Sequence, residues 1–398
     1  MENNNTLVSE RVHIGFFGTV NAGKSSLVNA VTGQNTALVS SVRGTTTDPV
    51  RKTMELLPLG PVVIIDTPGF DDGGELGPER IKRTKKVLDE IDVAVLVVDS
   101  ERGFSDTDKT LSELFENKKI PYVVAYNKAD LLHERTDIDN NALYVSALNG
   151  ENINEFKELL ARVIPQKREK GYVDGFVKKG DTVILVTPID EAAPKGRIIL
   201  PQQQVLRNLL DIGAIAVVVQ PEELSDALVN MTKKPAAVIT DSQAFREVSK
   251  SVPQDIPLTS FSILMANYKG FLEDAVRATA EISSLQDGDK ILIAEGCTHH
   301  RQCNDIGTVK IPTWIKKQTG KKIVFDSASG KDFPEDLSEY KIVIHCGGCM
   351  ITEKEVSSRQ EKAKEQGIPF TNYGTVIAHI NGILKRSVEV FPEIYKKL

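Results

Sequence analysis

All four cysteines of this chain fall between Cys297 and Cys349. Cys297-Thr-His299-His300 and His345-Cys346-Gly-Gly-Cys349 together read C-x-H, 45 intervening residues, then H-C-x-x-C. Three of the six histidines, His299, His300 and His345, lie in the same stretch. Thiolates and imidazoles bind soft and borderline metals, and the C-x-x-C step can set two ligands on one centre. Two metals fit the donors. Structural zinc would take Cys297, Cys346, Cys349 and one of His299 or His345. An iron–sulfur cluster would take the three cysteines and leave its fourth iron to a weaker ligand. The donor types alone do not choose between them. Cys303 lies outside the pattern and reads as a spare thiol near the site.

A second reactive set lies near the N-terminus. Gly18-Thr-Val-Asn21-Ala22-Gly23-Lys24-Ser25 is G-x-x-x-x-G-K-S, followed by Ser26 at the start of a helical pattern. The glycines let backbone amides curl around phosphate, Lys24 reaches the outer phosphates, and the Ser25 hydroxyl holds Mg²⁺. Asp66-Thr-Pro-Gly69 follows an apolar run and supplies a Mg²⁺-linked carboxylate and a γ-phosphate-sensing amide at Gly69. Asn127-Lys128-Ala-Asp130 selects guanine, because the Asp130 carboxylate accepts two N–H bonds that adenine cannot supply. Such a site rejects the wrong ligand by roughly 10⁴–10⁵-fold. Ser146-Ala147-Leu148 completes the set as the loop behind the base. Four motifs in this order define a GTP/GDP site.

The elements that must position these residues alternate. Apolar runs predict strands at His13–Phe17, Val62–Ile65, Ile91–Asp99, Tyr122–Tyr126 and Leu143–Val145, with a helix over Ser25–Val31. A charged stretch from Gln166 to Gly171 reads as a linker. Strands at Thr182–Val186, Ala214–Val219 and Ala236–Thr240 then alternate with helices at Pro201–Leu210, Pro221–Val229 and Gln243–Ser249. Phe261–Met265 is an apolar patch, either core or subunit contact. In the last third, Lys290–Ala294 delivers Cys297 and Lys341–Ile344 delivers His345 and Cys346. Lys322–Phe325 is a further strand, Phe370 and Thr371 a short one. Helices are expected at Phe271–Ile282, Thr308–Gln318 (broken near Pro312), Glu353–Gln366 and Val376–Leu384. The pattern predicts three consecutive α/β domains: residues 1–168 with a flexible arm at 1–10, residues 169–268, and residues 269–398. The first is a P-loop GTPase and the others are parallel-sheet units. Ligands of open parallel sheets bind at the C-terminal strand ends, where both metal-ligand groups fall.

Composition excludes several classes. Forty-nine basic against 55 acidic residues give a net charge of −6, which argues against an extended nucleic-acid surface. No run of 18 apolar residues suggests a membrane span. The polar stretch Met1–Arg11 does not read as a signal peptide, and clustered cysteines without a secretion signal suggest a reducing cytoplasm.

The loop Arg43-Gly44-Thr45-Thr46-Thr47-Asp48 resembles the G-T-T-R-D switch of the TrmE–Era group of GTPases, with Thr47 where arginine is common. That likeness implies Thr46 as the Mg²⁺-binding threonine, with Thr45 as fallback, and Asn21 as a K⁺ ligand beside the phosphates. Phe70 stands where Ras-like proteins carry a water-orienting glutamine, so intrinsic hydrolysis should be slow. With the C-x-H and H-C-x-x-C motifs added, the whole chain resembles the HydF family, the maturation GTPases of FeFe-hydrogenases. The resemblance implies a dimerising middle domain and a 4Fe-4S cluster on Cys297, Cys346 and Cys349. His299 and His345 would be a fourth ligand or donors around the cluster, and Glu295 and Asp305 are nearby carboxylates that could take the open iron. It further implies a scaffold that takes a di-iron precursor made with the radical-SAM maturases HydE and HydG and passes it to the apo-hydrogenase. The competing reading is a TrmE–Era-like GTPase with a zinc domain, acting in RNA modification or ribosome assembly.

A cation beside the phosphates would do what an arginine finger does elsewhere, on the order of 10³–10⁵ in rate. GTP hydrolysis is therefore expected to be faster in KCl than in NaCl. Equal steady-state rates in the two salts would exclude the potassium site.

Overall fold

The structure is a computed structural model that describes residues 8–33, 49–70, 84–164, 171–189, 198–296, 305–330 and 332–398. Thr45, Thr46, Cys297, His299, His300 and Cys303 lie outside these residues. The chain divides into two compact units, residues 1–167 and 168–398.

The first unit is built on one six-stranded sheet. Its strands are β1 (Val12–Phe17), β2 (Val50–Leu56), β3 (Gly60–Asp66), β4 (Val93–Asp99), β5 (Tyr122–Asn127) and β6 (Ala142–Tyr144), in the order β2-β3-β1-β4-β5-β6. Successive side chains on a strand point to opposite faces. The unbroken apolar runs thus feed two cores at once. Ile14, Phe16, Val62, Ile64, Val95 and Val97 pack on one face with residues of helices Lys24–Thr32 and Ile153–Val163. Phe17, Val63, Ile65, Leu96 and Val98 pack on the other with Leu111 and Phe115 of helix Asp106–Asn117. The strand β2 was not expected. It is an antiparallel edge to β3, largely exposed and mixed polar, so it carries little of the signature of a buried strand.

The second unit contains two four-stranded, wholly parallel sheets. The strands β7 (Thr182–Val186), β8 (Ile215–Val219), β9 (Ala237–Thr240) and β10 (Leu258–Ser260) run in the order β10-β9-β7-β8. The strands β11 (Lys290–Glu295), β12 (Val324–Ser329), β13 (Ile342–His345) and β14 (Phe370–Asn372) run in the order β12-β11-β13-β14. The three sheets expected from sequence are all present, and the last two share one continuous core from Tyr172 to Phe391.

The apolar patch at Phe261–Met265 is core. It forms helix Phe261–Tyr268, whose Phe261, Ile263, Leu264, Met265 and Ala266 are buried. The two sheets are also tied by polar bonds. The Asn372 amide donates to the Ser262 carbonyl at 2.9 Å, and the Thr371 hydroxyl to the Ala275 carbonyl at 2.7 Å. Arg386 donates to the carbonyls of Ser249, Val252 and Pro253.

Several helix boundaries differ from expectation, two of them near the cysteine segment. Ile306–Lys310 forms a wide turn, and the regular helix runs Ile311–Thr319 with Pro312 in its first turn. A proline there starts a helix instead of breaking one, because first-turn amides have no intrahelical partner to lose. The final helix expected at Val376–Leu384 begins earlier, at Tyr373, capped by Asn372, and ends at Ile380. Among the described residues no helix is long and apolar enough to cross a membrane.

Candidate functional site

In the first unit the sequence motifs converge at the C-terminal ends of β1, β3 and β5. The P-loop leaves β1 and enters helix Lys24–Thr32, with Asn21 exposed and in the left-handed region at φ 67°. Gly18, at φ 146°, has no room for a side chain: an added Cβ would lie 2.2 Å from the Val97 carbonyl oxygen. Lys24 is buried, and its ammonium donates to the carbonyls of Gly18 at 3.0 Å and Thr19 at 2.8 Å. Burial lowers its pKa to about 8, against the opposing charges of Asp66 and Asp108. The Ser25 hydroxyl donates to Asp66 Oδ2 at 2.6 Å. Asp66 Oδ1 is buried with no hydrogen-bond partner among the described residues. Burial raises the Asp66 pKa, with Ser25 and Lys24 opposing. A carboxylate with one oxygen on the metal-site serine and the other unpaired fits the water shell of Mg²⁺.

Gly69 comes so close to the P-loop that an added Cβ would meet the Val20 backbone at 2.9 Å. The Phe70 amide donates to the Gly18 carbonyl at 3.0 Å, and its ring is buried. Position 70 therefore offers no polar group to an attacking water.

On the guanine side, Asn127 ties three segments together. Its Nδ2 donates to the Ala22 carbonyl at 3.0 Å, and its Oδ1 accepts from the Ala147 amide at 3.1 Å. Lys128 has φ 66° and pairs with Asp99 at 2.5 Å. The Ser146 hydroxyl donates to Asp130 Oδ1, which fixes the carboxylate that would read the base. A cavity of about 620 Å³ opens here, lined by Gly23, Ser26, Asn127, Asp130 and Ala147 among others. It is large enough for a nucleoside.

In the second unit β11 and β13 are direct neighbours, with Ala294 opposite His345. The Cys346 amide donates to the Ala294 carbonyl at 2.8 Å, which extends the pairing to the thiol. Cys346 Sγ accepts two amide N–H bonds, from Gly296 at 3.1 Å and Gly348 at 3.3 Å. The turn that aims the second amide needs Gly348 at φ 66°. Burial raises the Cys346 thiol pKa, and these two amides oppose it. Burial first, then Cys346, pushes Cys349 up to about 11. Cys346 and Cys349 are half-buried thiols, and the two amides aimed at Cys346 Sγ would stabilise a thiolate–metal bond there. Among the described residues no three metal-ligating side chains gather, and Cys297, which follows Gly296 in the sequence, lies outside them.

His345 is fully buried, and both its nitrogens are engaged. Nδ1 lies 2.7 Å from the Cys346 carbonyl oxygen, and Nε2 3.1 Å from Arg359 Nη1. A carbonyl accepts and a guanidinium donates, so the ring is neutral with its proton on Nδ1. Burial, then the charge of Arg359, lowers its pKa to about 3. The carboxylates near the site are engaged too. Glu295 is buried and accepts from the Tyr373 hydroxyl at 3.1 Å. Asp305 caps the following turn through the Thr308 amide and hydroxyl at 2.7 and 2.8 Å.

Sequence reasoning missed two buried cations. Arg359 binds the ends of all three strands nearest the thiols. It donates to Glu295 O, Gly330 O and His345 Nε2, and pairs with Glu355 at 2.6 Å. Lys269, at the end of helix Phe261–Tyr268, donates to the Ile351 carbonyl at 2.6 Å. Each lies in a charged or helix-end context that reads as solvent-facing.

These features define a GTP-hydrolysing P-loop protein whose chain continues into a distinct α/β unit. Residues 13–128 match the family model of the 50S ribosome-binding GTPases. Residues 172–270 match the hydrogen maturase F dimerization domain, and residues 273–390 the hydrogen maturase F tetramerization domain. The chain belongs to the hydrogen maturase F family, the hydrogenase maturation GTPases, and carries both of that family's oligomerisation domains. It is also 32% identical over 200 residues to the GTPase Der of Wolinella succinogenes, across 46% of this chain and 40% of Der. It is 34% identical over 175 residues to the tRNA modification GTPase MnmE of Legionella pneumophila, across 42% of this chain and 38% of MnmE. The chain thus spans about two fifths of the length of these curated relatives. Era from Aquifex aeolicus superposes with a TM-score of 0.36 at 19% identity, over 52% of this chain and 93% of Era.

Lys24 generates a pH prediction. With a pKa of about 8 it loses its proton as pH rises above that value in the nucleotide-free protein. Triphosphate raises the pKa again, so above pH 8 the complex holds more protons than the free protein. GTP affinity should be flat below pH 8 and fall above it, approaching about tenfold per pH unit. Calorimetry at pH 8.5 in buffers of different ionisation enthalpy should register proton uptake, and a heat independent of buffer would contradict it. Arg359→Met leaves Glu355 and the three strand-end acceptors without their donor. It should destabilise the second unit by about 3–5 kcal/mol in denaturant unfolding. A loss below about 1 kcal/mol would mean those groups find other partners.

Proposed function

We propose that this protein is the GTP-hydrolysing scaffold on which the di-iron precursor of the FeFe-hydrogenase active site is assembled and from which it is delivered to the apo-hydrogenase. In this reading the chain acts in the cytoplasm as an oligomer that begins with a homodimer of the middle domain. It works with the radical-SAM maturases HydE and HydG. The functional divisions are residues 1–168, 169–268 and 269–398. Cys297, Cys346 and Cys349 hold a 4Fe-4S cluster.

The observation that carries the reading is the meeting of Gly296 and Cys346 at the ends of neighbouring parallel strands. The Gly296 amide donates to Cys346 Sγ at 3.1 Å, and the next residue in the sequence is Cys297. When bound, the cluster supplies an iron with no protein thiolate, where an anionic ligand of the precursor could attach. The chain's own groups do the rest. The Gly296 and Gly348 amides favour thiolate over thiol at Cys346. Arg359 and the Cys346 carbonyl hold His345 with both nitrogens occupied, which supports a role as a hydrogen-bonding neighbour in preference to a metal ligand. His299 remains the candidate among the motif histidines.

In the GTPase unit, Lys24 and the P-loop amides, with Gly18, Ala22 and Gly23 setting the turn, bind the phosphates. Ser25 with Thr46 holds Mg²⁺, and Asp66 acts through its water. Gly69 senses the γ-phosphate. Asn127, Lys128, Asp130, Ser146 and Ala147 enclose guanine. Asn21, exposed beside the phosphates, holds K⁺.

Anaerobic purification and reconstitution test the cluster reading. The full chain should be brown, with about four irons and four sulfides per chain, and Cys346→Ala should lose most of both. A colourless chain carrying one zinc would defeat the proposal and favour the RNA-modification or ribosome-assembly alternative.

A further inference from the structure

Lys269 is the one charged group that the middle sheet's elements send to the cysteine loop among the described residues for which bonds to that loop are recorded. It follows helix Phe261–Tyr268, and this helix is the floor of the loop. An added Cβ at Gly347 would meet Ser262 Oγ at 3.6 Å and Met265 Cβ at 3.8 Å. The Lys269 ammonium donates to the carbonyl of Ile351, two residues beyond Cys349. Ile351 in turn packs where a Cβ on Gly296 would stand, at 3.2 Å. The lysine is thereby bonded to the residue that packs on Gly296 and lies two positions beyond Cys349.

The side chain is buried, with 6% of its surface exposed. An ammonium has three N–H donors. Among the described residues Ile351 is its single hydrogen-bond acceptor, and it forms no ion pair. A tether to Ile351 alone requires one N–H and no charge, so a neutral amide would serve. Burying an unpaired ammonium is costly unless something anionic meets it. The groups whose charge it feels most are Cys349, then Glu353, Cys346 and Glu355. Glu355 is already committed to Arg359 at 2.6 Å.

We propose that the two free N–H groups of Lys269 hydrogen-bond the Cys349 thiolate and an adjacent sulfide of the bound cluster, and that this lysine sets the cluster's reduction potential. The inference rests on the cluster reading above. Its physical basis is that a fixed cation and N–H···S bonds stabilise the more negative, reduced cluster over the oxidised one. The lysine also makes the middle sheet part of the cluster site, not only an oligomerisation platform.

The test compares reconstituted full-length wild type with Lys269→Gln and Lys269→Met, by dithionite titration with redox mediators, one electron per cluster. Lys269→Gln keeps an N–H donor but removes the charge and one N–H. It should bind the same iron and sulfide as wild type but shift to a more negative potential by at least a tenfold change in the reduction equilibrium, about 59 mV for one electron. Lys269→Met should shift at least as far. A cluster with wild-type potential in Lys269→Gln overturns the proposal and leaves Lys269 as a tether, even if Lys269→Met fails to fold. A wild-type chain that reconstitutes no iron–sulfur chromophore overturns the cluster reading itself, and this proposal with it.

Discussion

Directional pairing of parallel strands is the constraint on which both sites depend. In a parallel sheet every strand delivers its last residue to the same edge, and the backbone groups just beyond it have no ladder partner. In the first unit that edge receives the P-loop from β1, Asp66 from β3 and Asn127 from β5. In the second it receives Gly296 from β11 and Cys346 from β13. The unpaired amides are then available for other acceptors. At Gly296 and Gly348 they point at a sulfur. The two proposed sites thus draw on the same property of the fold.

The parts legible in the sequence are those whose chemistry forces residues to be contiguous. A phosphate cradle, a guanine clamp and a pair of C-x-x-C ligands are each set by a single loop, so G-x-x-x-x-G-K-S, N-K-x-D and H-C-x-x-C could be read without a structure. Central strands were legible for a similar reason, since β4 is buried at every position and needs no partner to be recognised. The edge strand β2 was not, because its exposed face is polar and its pairing with β3 is what makes it a strand. Arg359 and Lys269 were hidden for a different reason. Arg359 sits in the charged run Glu-Val-Ser-Ser-Arg-Gln-Glu, and Lys269 follows a helix end before Gly270. What buries them comes from far along the chain: Glu295 lies 64 residues from Arg359, and Ile351 82 residues from Lys269. No local pattern carries that information. The open choice between histidine roles narrowed in the same way, because the donor that occupies His345 Nε2 is on another element.

The two buried lysines bear on each other. Lys24 and Lys269 lie in different sheets with different neighbours, yet burial brings each to a pKa of about 8, and each is held by backbone carbonyls. A carbonyl fixes the direction of an ammonium without neutralising it, so the positive charge stays available. For Lys24 the proposed function supplies the reason: phosphates would complete the charge balance. The same arrangement at Lys269 feels the charge of the half-buried Cys349 first, then Glu353, Cys346 and Glu355. In both places the fold bears the desolvation cost of a cation, which would leave its donors oriented and less reorganisation to be done if an anion binds. A lysine kept only for packing would not need its charge, and a lysine kept for a tether would not need to be buried beside cysteines. The P-loop of this same chain therefore supplies the internal precedent for reading Lys269 as a waiting counter-charge.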